Sequence, residues 1–256
     1  QLFPIVKILC ETTNLPVLVE PNAGMPELKN GRTSYKETPE AMAEFSVRFA
    51  DIGVEMIGSC CGSTPEHTRG ISRILAGRKP VLRRKKFPLR IAGRFGTISI
   101  GRGCYPVVIG ERINPTGKKE LTNVIREGKT NLLKSEALSQ VKYGADVLDV
   151  NIAVPGIDEA EVMKRAVTAI QNMVHVPLSL DSPNPEALEA GLKIYQGKAL
   201  VNSVNADDAV LDKVLPLVKR YGAAVVGLCM DEKGIPGSVE GRIAAAEKIL
   251  NRAEEL

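Results

Sequence analysis

The chain has no tryptophan, two histidines and an aromatic fraction of only 4% over 256 residues. Binding of single-stranded nucleic acid relies on interleaved aromatic side chains, so that function is not expected here. No apolar run approaches the ~18–20 residues that span a bilayer, and no membrane segment is expected. The amino terminus, Gln1-Leu2-Phe3-Pro4, lacks the charged region and cleavage site of a secretion signal. It also lacks an initiator Met, so the reading expects a processed chain or a piece of a longer one. Five cysteines in this length make no disulfide framework, and a reducing cytoplasm is the expected compartment. No G-x-G-x-x-G follows a strand and no Walker sequence occurs, which excludes the glycine-rich phosphate loops. No serine is paired with a histidine in a nucleophile pattern. His67 and His175 read as structural or exposed.

What is present is ordinary globular composition, 44% apolar and 25% charged, which excludes disorder as the dominant state. Net charge is +4, from 34 basic and 30 acidic residues. Residues 78–90 (RKPVLRRKKFPLR) hold seven basic residues and no acid. Setting those aside leaves 27 basic against 30 acidic residues, a body of −3. The segment has one aromatic, Phe87, and reads as a solvated linker or a strap on an acidic neighbour, not a nucleic-acid surface.

Along the chain, residues 2–12 read as the end of an amphipathic helix. Leu15-Pro16-Val17-Leu18-Val19-Glu20 follows as a buried strand, and residues 25–38 as a loop. Thr38-Pro39-Glu40 opens a helix with an N-cap, a proline in the first turn and an acid at the positive end. Val54–Gly58 is a short strand, and Ser63-Thr64-Pro65-Glu66 opens the next helix by the same device. After the basic segment, residues 91–106 are Gly-rich and poorly periodic. From Pro106 five strands are predicted, at 107–110, 146–150, 176–180, 199–201 and 223–228. Helices are predicted near 117–143, 158–172, 185–196, 207–221 and 238–255. Repeated βα units belong to a parallel sheet or barrel. A complete (β/α)8 barrel needs ~250 residues, so neither region closes one. An open doubly wound sheet could use five strands and remains an alternative at this point.

The strands of the second region end in polar residues. Glu111 and Asn114 follow the first, Asp149 and Asn151 end the second, Asp181 the third, and Asn202 with Ser203 the fourth. Carboxylates and amides at the carboxyl ends of parallel strands mark the ligand-binding face of a barrel. Any single one could equally be a helix cap. Cys229, after the fifth strand, reads as a small core residue. Cys60-Cys61 lies between a strand and a helix, flanked by Gly58 and Gly62. A helix amino terminus lowers a thiol pKa, and adjacent thiolates can share one zinc ion if other ligands complete the four. From local chemistry, zinc ligands and buried or redox thiols both stay open.

These motifs resemble known families. Pro21-Asn22-Ala23-Gly24-Met25-Pro26 and Ile57-Gly58-Ser59-Cys60-Cys61-Gly62-Ser63-Thr64-Pro65-Glu66-His67 resemble the end of the zinc-dependent homocysteine-binding barrel. Ile109-Gly110-Glu111-Arg112-Ile113-Asn114, Leu148-Asp149-Val150-Asn151, Leu180-Asp181-Ser182 and Val201-Asn202-Ser203 resemble the pterin-binding barrel of methyltetrahydrofolate–corrinoid methyltransferases. In this order the modules resemble the front half of the cobalamin-dependent methionine synthase family. The resemblance implies an α/β fold of TIM-barrel, (β/α)8, type, with two consecutive barrels each only partly present. It divides the chain into 1–79, the later part of the homocysteine barrel, 80–105, a basic and Gly-rich linker, and 106–256, the earlier part of the pterin barrel. It implies methyl transfer from 5-methyltetrahydrofolate through a corrinoid to homocysteine. Cys60 and Cys61 map to two zinc ligands. The family's third thiolate lies in a Gly-x-Asn-Cys motif that does not occur in this sequence. Asp181 and Asn202 map to the residues that bond the pterin ring and serve catalysis, and Glu111, Asn114, Asp149 and Asn151 to the polar floor. The implied partners are homocysteine, methyltetrahydrofolate and a cobalamin-binding module in cis or trans. A corrinoid methyltransferase with another acceptor and a pterin carrier without turnover are the alternatives.

Overall fold

The computed structural model describes residues 2–83 and 88–256. The chain forms two compact units, residues 1–86 and 87–256.

The first unit runs α1 (Leu2–Thr12), β1 (Leu18–Val19), β2 (Glu27–Lys29), β3 (Arg32–Ser34), α2 (Pro39–Asp51), β4 (Met56–Ile57) and α3 (Pro65–Leu75). β1 and β4 pair in parallel, Leu18 opposite Met56 and Val19 opposite Ile57. Among the described residues each strand has this one neighbour, and the strand predicted over 15–20 is shorter, Leu18–Val19. Val6 and Cys10 from α1, Val17, Val19, Phe49 and Val54 enclose the core. α2 starts as expected, with Thr38 Oγ1 accepting from Ala41 N–H at 3.3 Å ahead of Pro39. The stretch 25–38, read as a loop, contains the antiparallel hairpin β2–β3. Its turn is Asn30-Gly31, with φ 49° and 74°, the left-handed pair that closes a tight hairpin.

Arg83 belongs to the basic segment, yet its side chain is 5% exposed. It donates to the carbonyls of Gly53 at 2.7 Å and of Thr13 and Leu15 at 2.8 Å. It also holds Glu55 at 2.8 Å, and that carboxylate takes the Val17 N–H at 2.9 Å. At this residue the segment is a strap on the first unit. Residues 84–87, Phe87 included, lie outside the described residues.

The second unit opens with the antiparallel hairpin β5 (Leu89–Ala92) and β6 (Thr97–Ile100). Five parallel strands follow: β7 (Ile109–Ile113), β8 (Val147–Asn151), β9 (Leu178–Asp181), β10 (Leu200–Val204) and β11 (Ala224–Gly227). The helices are α4 (Lys119–Arg126), α5 (Asn131–Lys142), α6 (Glu159–Gln171), α7 (Pro185–Ile194), α8 (Asp208–Tyr221) and α9 (Val239–Glu254). The sheet order is β7-β8-β9-β10-β11, the same as the chain order. A doubly wound sheet reverses direction at a switch point, whereas consecutive βα units stepping one way follow barrel topology. The sheet is an open arc of that barrel type among the described residues. The single helix predicted at 117–143 is two, because the chain turns at Gly128 with φ 69°.

Alternation divides the sheet. Leu148, Val150, Leu178, Leu180 and Val201 face the helices and join Met163, Val167, Ile170 and Leu188 in the main core. Val147, Leu200 and Ala224 face the other way, at the amino ends of their strands, and Ile91 of the hairpin, fully buried, packs on them. Part of the stretch read as aperiodic therefore plugs the bottom of the arc. Ala92 and Lys198 exchange backbone bonds of 2.9 and 3.0 Å. Tyr195 Oη accepts from Leu178 N–H at 2.9 Å and donates to the Ala92 carbonyl at 3.0 Å. Burial pushes that phenol up to about 12. No helix among the described residues is long and apolar enough to cross a membrane.

Candidate functional site

At the carboxyl ends of β8, β9 and β10 the inward faces become polar. Asn151, Asp181 and Asn202 occupy one row, since Asn151 pairs with Asp181 and Asp181 with Asn202 in the ladder. Asp149 and Ser179 form the row below. Asn151 Nδ2 donates to Asp181 Oδ2 at 2.9 Å, and Asn202 Nδ2 to Asp149 Oδ1 at 3.2 Å. Two acid–amide pairs thus span three strands. Asp149 is buried at 3% exposure, while Asn151, Asp181 and Asn202 are half-buried. The peptide between Asn202 and Ser203 is cis.

Burial pushes the Asp149 carboxyl above its ordinary value. Hydrogen bonds with Ser179 and Asn202 oppose the shift, and the adjacent Asp181 carboxyl adds to it. Two carboxyls this close do not both ionise freely, so Asp149 retains its proton to higher pH than an exposed aspartate. The site can offer hydrogen-bond acceptors at the Asp181 carboxyl, a buried carboxyl at Asp149 and amide groups on either side.

Glu111 on β7 and Asn114 just past its end form a separate pair, with Asn114 Nδ2 donating to Glu111 Oε1 at 2.5 Å. Asn114 Oδ1 caps its own turn by accepting Thr116 N–H at 2.9 Å. Among the described residues these two bond each other and not the β8–β10 group. β7 reaches this geometry through a register shift between Gly110 and Ile113. Buried Gln140 supports the irregularity by accepting the Arg112 N–H at 2.8 Å.

In the first unit, Cys60 and Cys61 are exposed at the end of β4 with sulfurs 3.7 Å apart. Their turn is held by Asn22, whose Oδ1 accepts from Cys61 N–H at 3.1 Å, and by the Pro21 carbonyl, which accepts from Cys60 N–H at 2.9 Å. Zinc–thiolate bonds of ~2.3 Å at tetrahedral angles separate two sulfurs by roughly 3.8 Å, so the pair fits two corners of a zinc site. The other corners are not supplied: among the described residues no three His, Cys, Asp or Glu side chains cluster for a metal. His67 is buried and both its nitrogens are engaged. Nδ1 accepts from Thr64 N–H at 3.0 Å, which leaves Nε2 to donate to the Glu37 carbonyl at 3.0 Å. It is a structural histidine, and His175 is exposed.

One expectation fails and some participants are new. Cys229, read as a core residue, is exposed, because β11 ends at Gly227 and the chain leaves the sheet there. Ser179 was not singled out, although its position two residues before Asp181 places it on the same face of the strand. Glu159 was also missed, and Ser182 was named only within the Leu180-Asp181-Ser182 string; a serine directly after a strand-end acid is the available signal.

Comparison with known proteins finds similarity along both units. Residues 1–75 match the homocysteine S-methyltransferase family. A methionine synthase from Mycobacterium tuberculosis is 30% identical over 249 residues, covering 95% of this chain and 21% of that protein. The chain therefore spans about a fifth of the length of this curated relative. A crystal structure of dihydropteroate synthase from Thermus thermophilus aligns with 64% of this chain and 61% of that one, at 22% identity and a TM-score of 0.37. Residues 110–254, more than half the chain and nearly all of the run from β7 to α9, match the pterin binding enzyme family, and the chain belongs to that family.

Proposed function

We propose that residues 106–256 hold 5-methyltetrahydrofolate by its pterin ring and that residues 1–79 contribute to a homocysteine site, with 80–105 joining them. The enzyme moves the methyl group from N5 of the folate through a corrinoid on a separate module to homocysteine, forming methionine. The observation that carries this reading is the doubled acid–amide arrangement, Asn151 with Asp181 and Asp149 with Asn202. The pyrimidine edge of a pterin offers adjacent N–H donors beside acceptors. A carboxylate takes the donors in pairs and an amide meets the acceptors. Asp181 and Asn202 fill those roles, with Asn151 beside them in the same row and Asp149 in the row below, and Glu111 and Asn114 complete the polar lining. The N5 methyl leaves when N5 carries a proton, and a preorganised set of dipoles and carboxyls lowers the cost of that cation.

Cys60 and Cys61 would supply two thiolate ligands to zinc. Zinc, when bound, keeps a coordinated thiol such as that of homocysteine deprotonated near neutral pH. The cytoplasm is the compartment assigned, supported by the free thiols at Cys60, Cys61, Cys104 and Cys229. Calorimetric titration of the chain with 5-methyltetrahydrofolate tests the reading. Asp181→Ala is expected to weaken binding at least tenfold, about 1.4 kcal/mol. Unchanged affinity overturns the role of Asp181. Turnover of the complete enzyme with reduced corrinoid and homocysteine separates a methyltransferase from a pterin carrier.

A further inference from the structure

Ser182 follows Asp181 directly and is buried at 2% exposure. Its hydroxyl donates to Glu159 Oε1 at 2.5 Å and accepts from Asn184 N–H at 2.9 Å. Asn184 Nδ2 reaches the other oxygen, Glu159 Oε2, at 3.5 Å. Asn184 is also the N-cap of α7, accepting Glu186 N–H at 3.0 Å. The backbone of Ser182 continues the ladder one residue past Asp181, its N–H donating to the Asn202 carbonyl at 3.3 Å. One carboxylate, from the first turn of α6, thereby grips the turn that carries Asp181 and that touches Asn202. Glu159 is not needed to cap α6. Asp158 already does so, accepting Glu161 N–H at 3.0 Å.

We propose that Glu159 and Ser182 are a positioning pair that fixes Asp181 against Asn202 for pterin binding. The proposal rests on the pterin reading above and adds two residues to it. The hydroxyl of Ser182 has one proton, and the Glu159 carboxylate receives it. The Ser182 lone pair is then free to take the Asn184 N–H, so every donor in the turn points one way. Withdrawing the acceptor by one methylene breaks that sequence while leaving the charge at the helix end.

Two substitutions at Glu159 separate positioning from a merely structural role. Glu159→Asp keeps the negative charge that favours a helix amino terminus but falls short of Ser182. Glu159→Gln loses the charge and keeps an acceptor oxygen at full reach. The readout is the dissociation constant of 5-methyltetrahydrofolate for the full chain, measured by calorimetry, alongside the urea midpoint of each variant. Positioning predicts about tenfold weaker binding for Glu159→Asp and a change within about threefold for Glu159→Gln. A helix-end charge effect predicts the reverse order, and that result overturns the proposal. Ser182→Ala is expected to match Glu159→Asp, and combining them to fall no further than the worse single variant, since both break one contact. Additive losses overturn the proposal, as does binding by Glu159→Asp within twofold of the wild type. If Ser182→Ala does not fold, the Glu159 pair decides alone. A wild-type chain that binds no methyltetrahydrofolate overturns the functional reading, and the positioning role falls with it.

Discussion

Arg83 illustrates how far a single side chain can depart from the segment around it. It lies among seven basic residues between 78 and 90, yet its guanidinium is enclosed by the carbonyls of Thr13, Leu15 and Gly53 and the Glu55 carboxylate. Burial tends to raise the Glu55 carboxyl, but the Val17 N–H and Arg83 hold it below its ordinary value. Removing the guanidinium leaves several acceptors without their donor at once. Arg83→Ala is expected to destabilise the first unit by about 2–4 kcal/mol, read from urea unfolding. Arg83→Lys should recover less than half, because one ammonium cannot replace a planar fork of donors. Asp149 makes a prediction of opposite electrostatic character. Its folded pKa is raised, so the native state holds the proton to higher pH than the unfolded chain. Stability from this group is therefore complete below the unfolded value near ~4 and declines as pH rises through the folded value. Urea midpoints between pH 4 and 8 should show the wild type falling relative to Asp149→Asn, with the gap levelling off once Asp149 ionises. A gap that does not change with pH would show that Asp149 titrates normally.

Among the elements, the hairpin β5–β6 depends on a close backbone approach. A Cβ at Gly197, where φ is 128°, would lie 2.3 Å from the Ala92 carbonyl oxygen. Backbone cannot yield as a flexible side chain does, so Gly197→Ala must lift the hairpin off Lys198 or strain the turn. The expected loss is at least ~2 kcal/mol, with faster hydrogen exchange at the Ala92 and Lys198 amides than in the wild type. Unchanged exchange would mean that the hairpin does not depend on this approach. The same elements show what the sequence disclosed. Buried strands of the second unit were legible because β8, β9 and β10 are apolar on their helix face and become polar only at their carboxyl ends. That same transition exposed Asp149, Asn151, Asp181 and Asn202. The helix starts at Thr38 and Thr64 were legible from cap chemistry. The hairpin at 89–100 was not, since its strands face an interior partner that lies far away in sequence, at Val147, Leu200 and Ala224. The break between α4 and α5 was obscured because helical residues continue on both sides of Gly128. The β2–β3 turn carried an Asn-Gly signal, hidden in a stretch short of alternating apolar residues. Glu159 and Ser182 lie on different βα units, and only the packing of α6 beside α7 brings them together.

At the scale of the whole molecule, each unit encloses its own apolar clusters. The first has small cores around Phe49 and Met42, while the second wraps its helices on one continuous core from Ile113 to Ile249. Hydrophobic stabilisation scales with apolar area removed from water, so the second unit should be much the more stable. Heating or urea is therefore expected to unfold the first unit before the second, in two transitions. Ligands then become probes of the assignment, because a ligand that binds only the folded form stabilises only the unit that holds it. At about a hundred times its dissociation constant, 5-methyltetrahydrofolate should stabilise its unit by about 2.7 kcal/mol. In a domain of this size that is a rise of roughly 5–10 °C in the upper transition, with the lower one unmoved. Zinc held at Cys60 and Cys61, with its remaining ligands from solvent or homocysteine, should act on the lower transition alone, and Cys60→Ser should abolish its effect by removing one of the two thiolates. Scanning calorimetry with each ligand separately checks both statements. Methyltetrahydrofolate acting on the lower transition would place the folate in the wrong unit. A single transition raised by both ligands would mean that the boundary near residue 86 divides contacts without dividing folding. Two transitions, each answering to its own ligand, would establish that ligand recognition in the two units is energetically separate.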